Sequence, residues 1–168
     1  MRLLKYLAIS IMLAGCQLPV AKGLQNSAWQ VQQYQRQDQL EVQWKNKSFS
    51  FLLYQQQQGK QLSMVALSLT GQQLFKLNFD GNTVKVEQRI DAMKLLPFNF
   101  LVRDILFATY PNFMPVNTQI KQNNATREID IQGVHVLNIQ TQTEQVTLNN
   151  IQVPYSIVFS AIPEGLDP

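Results

Sequence analysis

The polar residues that could carry out chemistry are few and lie in the second half of the chain. His135 is the sole histidine, and Glu128 and Asp130 are two positions apart, so they would share one face of a strand. Two carboxylates on one face could act as general acid and base, and a histidine could act as a base or a metal ligand. The alternatives are structural. Between Val134 and Val136, His135 alternates onto the less apolar side of a predicted strand, and Glu128 and Asp130 are typical of the wet side of a half-buried strand.

No further residues complete a catalytic or metal site. The sequence contains no Ser-His-Asp arrangement, no H-E-x-x-H motif and no pair of cysteines, so nucleophilic and zinc schemes lack parts. Gly59, Gly71 and Gly81 mark turns and do not form a phosphate-binding loop. We therefore expect no catalytic residue, no metal and no cofactor, and we predict that the protein is not an enzyme.

Charge and composition exclude one class of partner. The 168 residues include 14 basic and 11 acidic side chains, for a formal net charge of +3. Arg2 and Lys5 lie in a segment predicted to be removed, so the mature chain is nearly neutral. Phosphate binding needs clustered lysine and arginine, and no such cluster occurs. We therefore expect no nucleic-acid partner, and the length predicts one domain.

Glutamine is unusually common, and residues 55–58 are its densest run. This bias is compatible with a prion-like segment. Because the flanking segments alternate with Val, Leu and Trp, we instead interpret these glutamines as solvent-facing strand positions.

The first 16 residues have the organisation of an exported, lipid-modified protein. Arg2 and Lys5 precede an apolar run over residues 6–12, which describes a signal peptide over 1–15 rather than a membrane span. Residues 13–16, Leu-Ala-Gly-Cys, resemble the bacterial lipobox. This resemblance implies cleavage before Cys16, a diacylglyceryl thioether on its sulfur and acylation of its new amine, and each buried CH₂ contributes about 0.8 kcal/mol to anchoring. The alternative is an ordinary signal peptide with an incidental cysteine.

The residues after this lipobox predict sorting and a tether. Cys16 is the only cysteine, so no disulfide framework is expected and packing must supply the stability. Gln17 stands where many proteobacterial lipoproteins retained in the inner membrane carry Asp, and by that analogy we expect anchoring in the outer membrane, facing the periplasm. Residues 16–27 are predicted to tether the lipid to a domain over 28–168.

One long apolar helical pattern occurs in a chain that otherwise predicts strands. Between Pro97 and Pro111 the apolar residues recur at the i, i+3, i+4, i+7 spacing, and only Asn99, Arg103 and Asp104 form a narrow polar strip. Pro97 suits the first turn of a helix, and Pro111 disfavours helix at the residue before it. At about 12 to 15 residues the helix is too short to cross a bilayer, which needs roughly 20. We therefore expect it inside the fold.

Strand patterns fill the rest of the mature chain, with β-branched or aromatic enrichment and partial alternation. Asp80-Gly81 is the strongest hairpin signal, so the first half is predicted to be an antiparallel meander. A loop over 111–124 precedes the second half, and a change of apolar phase near Asn149-Asn150 suggests a bulge. The predicted strands are Ala28–Gln33, Gln39–Lys45, Ser48–Gln55, Gln61–Leu69, Gln73–Asp80, Asn82–Gln88, Thr126–Gln132, Val134–Gln140, Glu144–Gln152 and Tyr155–Ile162.

The helix and the sheet together suggest a place for an apolar ligand. A twisted antiparallel sheet can bury the helix against its concave face, and incomplete packing between the layers leaves an apolar crevice. Apolar crevices bind apolar ligands. The candidate cavity residues face inwards from strands or the helix; they are Phe51, Leu53, Phe75, Leu77, Phe79, Leu101, Ile105 and Leu106.

The order of these elements resembles the LolB family of outer-membrane lipoprotein receptors. The resemblance is carried by the lipobox, the strand over 62–71, the Pro-x-Asn-x-Leu pattern over 97–101, and the pair Ile105-Leu106. It is closer still to LolB-like lipoproteins that are encoded with fatty-acid-like or aryl-polyene biosynthesis enzymes. It implies a mainly β (α+β) fold, in which a strongly curved antiparallel sheet forms a half-closed LolA/LolB-like β-barrel with a helical lid and an acyl-chain cavity. It also implies an apolar residue on a protruding loop, for which Leu69 is the nearest match.

These expectations give one main hypothesis and two alternatives. The main hypothesis is an outer-membrane-anchored periplasmic lipoprotein that binds or transfers an acyl-chain-bearing ligand, such as a lipid, a lipoprotein or a polyene-like product. Its partners would be the membrane, through acyl chains on Cys16, the hydrophobic ligand, and a periplasmic carrier protein. The first alternative is a non-transporting, lipid-anchored scaffold whose helix only fills the core. The second is an enzyme acting on a lipid-like substrate.

Overall fold

The computed structural model describes residues 21–162, which form one β-sheet and one α-helix. The predicted signal peptide, Cys16 and residues 163–168 lie outside the described residues. The helix α1 (Phe98–Thr109) lies between the fifth and sixth strands and follows a single 3₁₀ turn over Asp91–Met93. The strands are β1 (Tyr34–Trp44), β2 (Lys47–Gln58), β3 (Gln61–Leu67), β4 (Gln73–Phe79), β5 (Val84–Arg89), β6 (Thr118–Asn123), β7 (Thr126–Ile131), β8 (Val134–Thr141), β9 (Gln145–Asn150) and β10 (Tyr155–Ala161).

The sheet has the strand order β5-β4-β3-β2-β1-β10-β9-β8-β7-β6, and every neighbouring pair is antiparallel. Two meanders, one before α1 and one after it, are joined along β1 and β10, where Leu40 pairs with Phe159. The sheet is not closed, because β5 and β6 are its two edges. A mainly β, antiparallel fold with one helix is thus confirmed.

The glycine turns of the first meander fall where the sequence predicts them. In the β4–β5 turn the Asp80 carboxylate accepts a hydrogen bond from the Asn82 amide at 2.9 Å, and Gly81 has a φ of +93°. Gly59 and Gly71 lie in the β2–β3 and β3–β4 connections, also with positive φ. Left-handed backbone costs other residues about 1 to 2 kcal/mol, so these glycines help to set where each strand ends.

Two predicted segments are wrong. Residues 28–33 form no strand, since β1 begins at Tyr34; the Gln30 carbonyl instead accepts a hydrogen bond from Nε2 of Gln57 at 2.8 Å. The predicted loop over 111–124 contains β6, whose only apolar residue is Ile120. An edge strand needs little apolar surface, so its hydrophobic pattern is too weak to recognise.

The predicted bulge near Asn149-Asn150 is also wrong. β9 pairs in regular register with both β8 and β10 through Asn150, and the change of apolar phase marks the turn over 151–154. Register shifts occur instead after Ala66, Lys76 and Ile129. Irregularities of this kind bend a strand and increase its local twist.

The helix is confirmed and is buried on nearly all sides. It begins after Pro97 and ends before Tyr110, whose ψ of 129° is extended, as expected for a residue that precedes a proline. Ten of its twelve residues are buried, including Arg103 and Asp104. Within residues 21–162, no helix combines the length and the apolar character needed to cross a membrane.

Contacts of the chain before β1 require the sheet to be strongly curved. The Asn26 amide donates a hydrogen bond at 2.9 Å to the Gly81 carbonyl, in the β4–β5 turn. A Cβ atom on Gly23 would lie 2.4 Å from Cδ1 of Ile131, at the end of β7. Three residues span at most about 11 Å, whereas seven strand positions cover roughly 34 Å in a flat sheet. The two edges of the sheet therefore approach each other around α1, which contacts both β5 and β9.

Candidate functional site

The eight candidate cavity residues lie together in one core. Each is at most 2% exposed, and the Phe75 ring lies edge-on to the rings of Phe51 and Phe98, with centroids 5.5 Å and 5.2 Å away. Five come from the inner face of β2 and β4 and three from α1: Phe51, Leu53, Phe75, Leu77, Phe79, Leu101, Ile105 and Leu106. Five cavities at the surface of the described chain are lined by other residues. The eight residues face inwards, and their role in ligand binding stays a prediction.

A buried polar cluster holds α1 against the second meander. Arg103 and Asp104 are both 0% exposed, and Nε of Arg103 donates a hydrogen bond at 2.7 Å to Oδ1 of Asp104. The other carboxylate oxygen of Asp104 accepts hydrogen bonds from Nδ2 of Asn150, at 2.6 Å, and from the Tyr155 hydroxyl. The end of β9 and the start of β10 are therefore bound to the middle of the helix.

The remaining donors of Arg103 extend this cluster to two loops. Its Nη1 donates to the Gln152 side-chain oxygen at 3.1 Å and to the Lys22 carbonyl at 3.0 Å. The guanidinium also lies over the Phe100 ring, 5.1 Å from its centroid. Nη2 is buried and has no hydrogen-bond partner among the described residues. One side chain thus connects α1, the β9–β10 turn and the chain before β1.

Burial dominates the electrostatics of this cluster. Burial raises the pKa of Asp104 above its ordinary value, although the Arg103 guanidinium and the hydrogen bonds from Tyr155 and Asn150 oppose that change. Burial, together with the adjacent Asp104, also raises the pKa of Tyr155 well above its usual range. The Tyr155 hydroxyl therefore stays protonated and donates. A buried guanidinium such as that of Arg103 needs an opposite charge within the fold, which only Asp104 supplies within this cluster.

A second buried polar cluster lies at the C-terminal end of α1. Gln55 and Gln57 of β2 are 1% and 5% exposed, so their interpretation as solvent-facing residues is wrong. Nε2 of Gln55 donates to the Thr109 hydroxyl at 3.2 Å, and the Tyr110 hydroxyl donates to the Gln57 side-chain oxygen. The Tyr34 hydroxyl donates to the Thr109 carbonyl at 3.3 Å, and burial raises the pKa of Tyr34 to about 12. These contacts satisfy polar groups that the helix end leaves unpaired.

Residues 21–29, which we call the strap, cross between the two edges of the curved sheet. Leu24 is 7% exposed and belongs to the core. Trp29 stacks on Tyr110, with ring centroids 4.7 Å apart. Residues 21–27, the second half of the predicted tether, are therefore packed on the domain.

A cavity of about 530 Å³, which we call the seam pocket, lies where the strap, the start of α1 and the two edges of the sheet meet. One wall comes from the β4–β5 turn and β5, and the opposite wall comes from the residues just before β6. Its lining combines apolar side chains with amides, which include Leu24, Val84, Val116, Asn82, Asn99 and Asn117. Asn99 is the lining residue that comes from α1, so the seam pocket lies against the first turn of the helix.

Most of the chain matches the model of one protein family. Residues 35–163 match the model of DUF3261, a family described as proteins of unknown function. The chain belongs to the DUF3261 family. No curated protein matches it. The matched range contains α1 and every strand apart from the first residue of β1, whereas the strap lies before it.

The residues first considered for chemistry lie together on β7 and β8 of this DUF3261 protein, where Glu128 is exposed but Asp130 is only 9% exposed, so the interpretation of Asp130 as a wet-side residue is wrong. Nδ1 of His135 lies 3.0 Å from one carboxylate oxygen of Asp130, and Nζ of Lys121 donates to the other at 2.7 Å. The hydrogen bonds from Lys121 and then His135 lower the pKa of Asp130. Glu128 is exposed and lies opposite Lys121 in the β6–β7 pairing. The partners of Asp130 are therefore basic side chains rather than a second carboxylate.

Two further predictions from the sequence concern a protruding loop and a metal site in this DUF3261 chain. Leu69, the candidate for a protruding loop, is 62% exposed in the β3–β4 connection. Among residues 21–162, no three His, Cys, Asp or Glu side chains are grouped as metal ligands. Sequence reasoning missed the contacts of Arg103 and Asp104, although two adjacent opposite charges in an otherwise apolar helix were a usable signal. It also missed the strap, which has no periodic pattern.

Proposed function

We propose that this DUF3261 protein is an outer-membrane lipoprotein, anchored by acyl chains on Cys16 and facing the periplasm, that binds or transfers an acyl-chain-bearing ligand. The observation that carries the proposal is a large apolar core, with a buried polar cluster on either side, between a curved, unclosed sheet and one helix. We interpret this arrangement as a half-closed LolA/LolB-like barrel with α1 as its lid. The ligand is held by apolar contact, so the protein is not an enzyme in this proposal.

The strap and the seam pocket supply an entry route for such a ligand. The seam pocket opens beside Asn99, one turn of helix before Arg103, and its lining includes Leu24, which also belongs to the core. An acyl chain that replaces the Leu24 side chain would exchange one apolar contact for another, at little cost in free energy. It would then extend along α1 towards Leu101 and Ile105. Entry in this proposal therefore requires the strap to leave the domain.

One observation favours the scaffold as a second candidate. The core residues that would line the cavity are almost fully buried, and the five surface cavities do not reach them. A protein with such a core can serve as a lipid-anchored interaction module without any ligand. Native mass spectrometry of the mature protein purified without detergent separates the two functions. A retained lipid supports the carrier, and its repeated absence supports the scaffold.

The substitution Gly81→Ala is expected to loosen the strap and to accelerate ligand uptake. A Cβ atom at this position would lie 2.3 Å from Cγ of Trp29, so the Trp29 side chain or the β4–β5 turn must shift, which disturbs the stacking of the indole on Tyr110. The positive φ of Gly81 adds about 1 to 2 kcal/mol of backbone strain. We expect faster uptake of a fluorescent fatty acid in stopped-flow mixing, beside a lower midpoint of urea unfolding.

Gly71→Ala is the matched control for this experiment. Gly71 has a φ of +86°, close to that of Gly81, but a Cβ atom there meets nothing within 4 Å. Both variants should carry the backbone strain, and only Gly81→Ala should disturb the strap. Equal uptake rates in the two variants would contradict entry beneath the strap.

The substitution Cys16→Ser is expected to abolish lipid attachment. Serine offers no thiol for the thioether, so neither acylation nor the cleavage that follows it can occur. Metabolic labelling with a radioactive fatty acid should mark the wild-type protein and leave the variant unlabelled. Equal labelling of both proteins would refute the lipid anchor and would leave ligand binding to be judged by the Gly81→Ala experiment.

A further inference from the structure

The exposed apolar side chains are concentrated at one end of the sheet. Because the strands are antiparallel, all odd-numbered strands end on the same side, and α1 begins there as well. We call this side the loop end; it consists of residues 45–46, 68–72, 90–97, 117, 132–134 and 151–154, and residues 110–116 run towards it from the opposite end, where Tyr110 meets Gln57 of β2. Of the seven large apolar residues that are exposed in the described chain, four lie at the loop end. These four are Leu69, Leu95, Val134 and Ile151.

The loop end is also basic. Lys45 and Lys94 lie in its connections, and Lys47 and Arg89 are the strand residues next to them. Asp91 is the only acidic residue among the loop-end segments, and it forms an ion pair with Lys94 at 2.9 Å. Apolar tips surrounded by basic side chains are the combination that binds the interface of anionic phospholipids.

The chain that leads to Cys16 leaves the domain at this same end. Arg103 binds both the Lys22 carbonyl and Gln152 of the β9–β10 turn, and Gly23 contacts Ile131, the last residue of β7. Lys22 lies six positions after Cys16 in the sequence, and a chain of that length can span at most about 22 Å. An acylated Cys16 would therefore hold the loop end within that distance of the bilayer.

We propose that the loop end is a docking surface for anionic phospholipid. It holds the domain on the membrane in one orientation, with the side of the seam pocket that Asn99, Asn117 and Gln132 line turned towards the bilayer. The argument from chain length rests on the lipid anchor of the proposed function, whereas the apolar tips and the basic charge do not. The loop end thus brings the opening of the domain to the surface where an acyl-chain ligand resides.

Two exposed positions at opposite ends of the sheet test this orientation. Leu95→Cys places a thiol at the loop end, and Val31→Cys is its matched control, since the two residues are 70% and 63% exposed. Each thiol carries an environment-sensitive dye in the full-length acylated protein, reconstituted in vesicles of phosphatidylcholine and phosphatidylglycerol. Brominated acyl chains should quench the dye at position 95 strongly and leave the dye at position 31 unaffected. Equal quenching at both positions, quenching at position 31 alone, or no quenching at all would overturn the proposal.

Charge variants test the anionic component. Lys45→Glu combined with Lys47→Glu should cause loss of most of the quenching at position 95, and so should phosphatidylcholine alone. Lys85→Glu, an exposed position near the start of β5, is the control and should retain it. Unchanged quenching in the double variant, or occupation of the loop end by a protein that blocks it, would overturn phospholipid as the partner. Loss of fatty-acid labelling at Cys16 would instead count against the proposed function, because quenching can still be measured after the protein is mixed with vesicles.

Discussion

Replacing Asp104 by alanine is expected to lower the free energy of unfolding by about 3 to 5 kcal/mol, because it leaves a buried guanidinium without its partner. Arg103 is 0% exposed, so water cannot compensate its charge. Asn150 and Tyr155 would also lose their common acceptor on Asp104. Urea unfolding monitored by circular dichroism measures the effect through the shift of the midpoint at constant slope.

An exposed ion pair supplies the control for Asp104→Ala. Asp91 and Lys94 form a comparable contact, but their side chains are 90% and 57% exposed. Ion pairs of this kind contribute about 0 to 1 kcal/mol, so Asp91→Ala should barely change the midpoint. A similar small change for both variants would mean that Arg103 finds another partner or reaches water. The buried cluster would then not be what holds α1 to the second meander.

Replacing Leu106 by alanine separates a filled core from a ligand cavity. Leu106 is 0% exposed on α1, and truncation in a filled core should lower the free energy of unfolding by about 2 to 5 kcal/mol. If the residue lines space that an acyl chain occupies, the cost of truncation should be smaller and the affinity for a fluorescent fatty acid should change. Leu101→Ala, at 2% exposed, tests the same question one and a half turns earlier.

A polar replacement on the same helix strengthens this test. Ile105 is 1% exposed, and Ile105→Asn in a dry core leaves an unsatisfied amide that costs about 1 to 3 kcal/mol beyond the lost burial. At a cavity wall the amide can meet water, but it disfavours an acyl chain. Urea midpoints and fatty-acid displacement should be compared for all three positions. The carrier function fails if none of them changes binding beyond its effect on folding.

Hydrophobic periodicity was enough to predict most of the elements. The 3.6-residue pattern between Pro97 and Pro111 predicted α1 because two prolines mark its ends, and Asp80-Gly81 predicted a hairpin because its turn chemistry is local. Periodicity failed where an element needs little apolar surface, as in the polar edge strand β6. It also failed for 28–33, where an apolar and glutamine-rich pattern belongs to a segment held by side-chain contacts.

The buried polar residues could be identified only from the tertiary structure, because their burial depends on partners that are distant along the chain. Gln55 and Gln57 lie on the same face of β2 as Phe51 and Leu53, but a glutamine there indicates burial only once its partners are known. The end of α1 covers both residues and supplies Thr109 and Tyr110 as those partners. The same holds for Arg103 and Asp104, whose partners come from residues about 50 positions later or 80 positions earlier in the chain.

The candidate site likewise has a part that the sequence could predict and a part that only the tertiary structure shows. Inward-facing residues such as Phe51 and Leu106 could be identified from alternation, since one buried face requires an apolar side chain at fixed spacing. The strap and the seam pocket arise only when the sheet curves, and the loop end depends on the antiparallel order of all ten strands, because each combines connections that no local pattern relates. Glycine spacing and apolar spacing describe each element alone, whereas the approach of β5 to the β6–β7 edge is decided by how all ten strands pack around one helix.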